Sequence, residues 1–255
     1  MRYRTLALMP IVVGAVFVVA ASVAPSRALF RADVELVKVL ALAGCIAAAL
    51  AFQRGDYLRR AWAFNGACLA LLLVRDLTVL SPATPPGLQS ALVIAANLSS
   101  IVGTWLMARA WHVAGLDLME SESKRRTFVL AGVVIALAVG GSVLAIDVRA
   151  FVRGEAGVGP VSLASDLGDI VSLCLIAPMA MTALAMRGGV LRWPWGLFTL
   201  GLVCWLLYDA TALLRAYHPS HTTHVANELF RTLACMCLFA AGLAQRRAVL
   251  APDAD

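Results

Sequence analysis

An all-α membrane protein, built as an eight-helix transmembrane bundle from two tandem four-helix repeats, is the fold this sequence predicts. Three observations carry that expectation. Of the 255 residues, 61% are hydrophobic and only 14% charged, whereas soluble domains are about half apolar and about a quarter charged. Eight apolar runs have near-bilayer length, for which roughly 20 residues suffice. And charged and aromatic residues recur at fixed offsets along the chain.

Hydropathy places the spans at 6–24, 34–52, 61–80, 88–111, 127–146, 165–186, 195–214 and 224–244. The first begins with Arg2 and Arg4 and offers a small-residue site at Ser22–Val23–Ala24, which raises the question of a signal peptide. Its apolar run exceeds a usual h-region and the cut would precede Pro25, so a retained span is expected. Between the spans, Lys and Arg lie in short loops. With the N-terminus inside, 13 fall on the cytoplasmic side and five outside, and the remaining three, Lys38, Arg75 and Arg231, lie within spans. That bias predicts both termini in the cytoplasm.

The recurrence is clearest between spans three and seven, where Trp62, Leu69, Leu73, Asp76 and Thr78 match Trp195, Leu202, Leu206, Asp209 and Thr211 at an offset of 133. Asp33 matches Asp166 at the same offset, and Leu58–Arg59 matches Leu191–Arg192. Spans one and five match at an offset of 122 through Arg4–Thr5 with Arg126–Thr127 and Arg31 with Arg153. The difference is an 11-residue insertion around the Gly-rich loop 154–163. Spans four and eight share little beyond Ala96–Asn97 and Ala226–Asn227. The expected organisation is a first repeat over 1–113, a basic cytoplasmic linker over 114–126, and a second repeat over 127–255 with a short cytoplasmic tail. Four spans per unit leave both halves facing the same way, so their symmetry axis should run along the membrane normal.

Ionisable side chains inside a bilayer are costly and face a bundle interior or a wet cavity. Here nearly all of them lie toward the extracytoplasmic side. Arg75, Asp76, Tyr208 and Asp209 sit near the outer ends of spans three and seven, Glu35 and Lys38 start span two, and Asp166 and Asp169 start span six. Asn227, Glu228 and Arg231 open span eight. Helical spacing puts His224, Glu228 and Arg231 on one stripe, and Trp205 with Asp209 on another. Pairing between spans, for example Asp209 or Asp169 with Arg231 and Asp76 with Lys38, would lower the cost of both charges. These groups serve equally well as ligand contacts or as structural ion pairs. Asp166 and Asp169 would alternatively act as N-terminal helix charges.

The other features have plainer readings. Trp62, Trp193 and Trp195 are expected as interfacial anchors. The cysteines Cys45, Cys68, Cys174, Cys204, Cys235 and Cys237 all fall in apolar runs and read as free packed thiols. His112, alone near mid-chain, gives no support to haem ligation. His218, His221 and His224 form a polar run that would suit zinc if acidic neighbours converged on it.

Three functions compete. The favoured one is a non-enzymatic module in a bacterial inner membrane, with a polar, charged cavity that opens to the extracytoplasmic side and binds a small molecule or ion for sensing or transport. Its candidate ligand contacts are Asp76, Asp209, Arg75, Tyr208, Asp166, Asp169, Asn227, Glu228 and Arg231. A metal-dependent intramembrane hydrolase acting on lipid at the outer leaflet is the second, with His218, His221 and His224 as zinc ligands. The third is a structural subunit of a membrane complex. The expected partners are the lipid bilayer and a cytoplasmic or membrane protein reached through the basic loop; nucleic acid is not among them, because the +6 charge is spread over short loops.

Overall fold

The computed structural model describes residues 2–79, 85–113, 122–154, 159–185 and 189–250. Its helices, in chain order, are α1 (Tyr3–Val23), α2 (Arg27–Ala51), α3 (Tyr57–Val79), α4 (Pro86–Ala108), α5 (Ala110–Val113), α6 (Glu122–Val152), α7 (Pro160–Cys174), α8 (Ile176–Ala185), α9 (Arg192–Tyr217) and α10 (His221–Leu250). No strand occurs among the described residues. Eight helical segments are long and apolar enough to cross a membrane, and α7 and α8 together supply the sixth, Ser162–Met181.

Local chemistry sets several boundaries. Ser26 accepts a hydrogen bond from the Leu29 amide at 3.1 Å and starts α2. Pro86 and Pro160 stand at the first positions of α4 and α7, where a missing N–H costs nothing. Ser220 and Thr223 exchange hydrogen bonds between side chain and backbone amide, at 3.0 and 3.1 Å, and open α10. The break at Leu175 has a proline behind it. Pro178 cannot bond to Cys174 and its ring crowds that carbonyl, so α7 ends there and α8 begins one residue on.

Six segments close into a ring. α2 packs on α3, α3 on α4, α4 on α7, α7 and α8 on α9, α9 on α10, and α10 on α2. α1 lies outside the ring against α10, and α6 lies outside against α7 and α9. Both ends of the bundle carry aromatic contacts. Tyr3 stacks on Trp193 at 6.3 Å and lies under Arg247 at the end that holds the start of α1. Phe30 meets Phe17 and His224 at the opposite, far end.

Small residues let the ring helices approach. A Cβ on Gly44 would lie 2.7 Å from the Phe239 Cα, and one on Gly242 would run into the Gly44 carbonyl, so α2 and α10 touch backbone to backbone. A Cβ on Gly103 would meet Asn65 at 2.6 Å, and one on Gly168 would meet Asn97 at 2.9 Å, which joins α3 to α4 and α7 to α4.

The helices differ from the expected spans in ways that move residues. α2 begins seven residues early, so Glu35 and Lys38 lie two to three turns inside it rather than at its start. α7 begins at Pro160, which places Asp166 and Asp169 in its second and third turns, too deep to act as N-terminal charges. Trp62 and Trp195, expected as interfacial anchors, are 1% and 3% exposed and belong to the core with Leu6, Met107, Met179 and Met236. Trp193 is half-buried against Tyr3. Of the basic linker, 114–121 lies outside the described residues, as do 155–158 of the Gly-rich loop and the side chain of His112; 122–126 belong to α6.

Candidate binding cavity

The ring encloses a cavity of about 250 Å³, and each of its six spans contributes to the wall. α3 supplies Asn65, Cys68, Leu69, Leu72 and Arg75, one helical face at spacings of three and four. α9 supplies Phe198, Gly201, Leu202, Trp205 and Tyr208, and Asp209 beside them. Each of the five wall residues on α3 thus has a wall residue on α9 exactly where the 133-residue offset puts it. α4 adds Asn97, Ser100 and Thr104, α7 adds Ser165, Asp169 and Ser172, α10 adds Arg231 and Ala234, and α2 adds Lys38.

Cations occupy one part of the wall, each with a carboxylate behind it. Lys38 makes an ion pair with Asp76 of α3, and Glu35 stands 3.8 Å from the same ammonium. Arg75 reaches Asp76 with its Nε at 3.1 Å. Arg231 pairs with Glu228 one turn earlier on α10 and lies 5.6 Å over the Tyr208 ring. Neighbouring polar groups brace these helices. The Thr232 hydroxyl donates to Asp33 of α2 at 2.6 Å, and the Asn227 amide donates to the Tyr208 carbonyl of α9 at 2.7 Å.

Carboxylates occupy the other part. Asp169 of α7 and Asp209 of α9 both line the cavity and lie within electrostatic reach of each other. Neither has an ion-pair or side-chain hydrogen-bond partner among the described residues. Asp169 lines the cavity with its side chain exposed rather than packed over by neighbours. Asp166, one turn before Asp169 on α7, does not line the cavity; it stands near Asp147 of α6 and within electrostatic reach of both Asp169 and Asp209. Toward the end holding the start of α1, Phe198 closes the wall and meets Trp62 edge-on at 5.7 Å.

Of the nine ligand contacts expected from sequence, Arg75, Tyr208, Asp169, Asp209 and Arg231 line the cavity. Asp76 and Glu228 stand behind it as counter-ions, Asn227 ties α9 to α10, and Asp166 sits with Asp147. The Asp76–Lys38 pair forms as expected. Arg231 instead takes Glu228, because a carboxylate three residues back on the same helix needs no approach of a second helix. His218, His221 and His224 do not converge. The His224 ring lies on Phe30 at 4.6 Å and its Nδ1 is 3.1 Å from Arg215, while His218 and His221 are exposed. No three His, Cys, Asp or Glu side chains among the described residues are grouped to hold a metal.

The polar wall residues Asn65, Ser100, Thr104, Ser165 and Ser172 escaped the sequence reading. Their signal was present: Asn65 falls at the 133-residue counterpart of Phe198, a position the Trp62–Trp195 alignment marks. Hydroxyls in an apolar helix are otherwise satisfied by their own backbone, as Thr199 is by the Trp195 carbonyl at 2.9 Å, so their type alone says little.

Eight helices long and apolar enough to cross a membrane, six of them ringed around a charged cavity, mark a polytopic membrane protein. Compared with known proteins, the chain matches no family, no curated protein and no solved structure.

Proposed function

We propose that this protein binds a small polar molecule or ion in its central cavity, taken from the extracytoplasmic side of a bacterial inner membrane with both termini in the cytoplasm. One observation carries the reading: five charged side chains, Lys38, Arg75, Asp169, Asp209 and Arg231, line a cavity inside a ring of apolar helices. Charges in that setting are kept where they do something, since packing alone is served more cheaply by apolar side chains.

The paired wall positions of α3 and α9 support a duplication of the chain, with the cavity on the axis between the halves. The basic loops support the orientation. Sensing is favoured over transport, because the Trp62–Phe198 contact and the apolar core stand between the cavity and the end that holds the start of α1.

Thermal-shift screening of the detergent-purified protein against small metabolites tests the reading, beside Leu72→Trp, which places bulk in the cavity wall. A ligand that stabilises the wild type at concentrations near its Kd raises the melting temperature by mass action. The Leu72→Trp protein should keep its fold and lose that response. Equal responses in both would place the ligand elsewhere.

A further inference from the structure

The charges of the cavity do not cancel, and the imbalance identifies a ligand class. Lys38, Arg75 and Arg231 are all engaged by Asp76, Glu35 and Glu228, so the cationic part of the wall is neutralised within the protein. Asp169 and Asp209 are not engaged by any cation among the described residues, and they face the same space. A carboxylate pair inside a membrane bundle calls for a proton or a cation beside it, and the described residues place no cation there.

The surfaces beside the two carboxylates decide what kind of positive charge fits. Trp205 lies one turn from Asp209 on the same face of α9 and lines the cavity. It packs edge-on against Tyr208 at 5.5 Å, an arrangement that fixes the indole. The face of Tyr208 is already covered by Arg231, which leaves Trp205 for the ligand. Leu69, Leu72 and Leu202 continue the wall as apolar surface. A divalent metal would need at least three converging donors, and no such group exists among the described residues. Carboxylates to hold an ammonium, an aromatic face to lie against its charge and an aliphatic wall for its carbon skeleton suit an organic cation.

We infer that the cavity binds a small organic amine, whose ammonium group sits between Asp169 and Asp209 and whose carbon skeleton lies against Trp205 and the leucines. The inference rests on the proposal that the cavity is a ligand site and names the chemistry of what enters it. In the empty cavity, protons or water meet the two carboxylates; the amine replaces them with a fixed charge and buries apolar surface against the wall. At about 250 Å³ the cavity lies just below the roughly 300–1,000 Å³ of ordinary ligand pockets and suits a small ligand.

The test is a matched set of three probes on the detergent-purified wild-type protein: phenethylamine, 2-phenylethanol and 3-phenylpropionate, read by isothermal titration and thermal shift. Phenethylamine should bind saturably, the alcohol at least about tenfold more weakly, and the carboxylate not at all. Asp209→Asn and Asp169→Asn, made singly, should each weaken the amine at least about tenfold. If a variant does not fold, the wild-type ranking of the three probes decides alone. Equal binding of amine and alcohol, or tighter binding of the carboxylate, overturns the inference while leaving the cavity as a ligand site. Amine binding unaffected by Leu72→Trp and both Asp variants removes the cavity reading as well. No binding of any probe overturns the amine inference; whether a metabolite screen then finds a ligand sensitive to Leu72→Trp decides the cavity reading separately.

Discussion

Asp76 is the residue on which two interior cations depend. Lys38 and Arg75 both reach it, and the side chains of Lys38 and Asp76 are only 10% and 15% exposed. Removing one partner of a buried pair strands the other charge and costs about 3–5 kcal/mol, whereas replacing both with apolar groups is often nearly neutral. Asp76→Asn should therefore destabilise the protein by roughly 3 kcal/mol or more, and Lys38→Met combined with Asp76→Leu, which still leaves Arg75 without its carboxylate, should recover only part of that loss. Chemical unfolding in mixed micelles would measure the cycle. A double variant as weak as the sum of its singles would show that the two residues act independently. Asp76 was legible in the sequence because it repeats Asp209. So was its pairing with Lys38; the start of α2 at Arg27, which sets Lys38 deep inside the helix, was not, because apolar runs mark where a helix is greasy rather than where it starts.

Between elements, glycine decides the tightest crossing. α2 and α10 meet at Gly44 and Gly242 with no room for a Cβ on either side. Gly242→Leu should push the two helices apart and lower stability by about 1–3 kcal/mol, the usual cost of overpacking. Gly141 of α6 is the contrasting case, with nothing within 4 Å of an added Cβ. Gly141→Ala should be neutral or stabilising by up to about 1 kcal/mol, because alanine is the better helix former. The same unfolding assay ranks both variants, and a damaging Gly141→Ala would mean that α6 packs against something at that face. The tryptophans are the element-scale lesson. Trp62 and Trp195 sit near span ends, where a sequence reading sees a belt, yet the ring turns them inward onto Phe198 and the methionine-rich core. Position along a helix sets depth; only the packing of neighbours sets the facing.

For the whole molecule, eight spans were legible from hydropathy because the bilayer imposes length and apolarity together. The order of the ring was not, since adjacency of α10 to α2 follows from no local pattern. The proposed orientation is open to a direct check. An impermeant maleimide applied to intact spheroplasts should label His221→Cys, at the exposed start of α10, and leave Arg54→Cys, in the exposed turn after α2, unlabelled until lysis. The reverse result would invert the topology and turn the cavity's charged half toward the cytoplasm.

The hydrogen bond from Thr232 to Asp33 joins residues 199 positions apart. Ribosomes deliver about 5–20 residues per second, so α2 waits on the order of 10–40 seconds in the membrane before its partner exists. During that interval the ring is a horseshoe, with Asp33 and the face of Gly44 turned to lipid or to whatever holds nascent helices. Lys38 and Asp76, only 38 positions apart, can join almost as soon as α3 is made. This early pair neutralises the worst of the waiting charge, and α10 then arrives as the stave that closes the barrel.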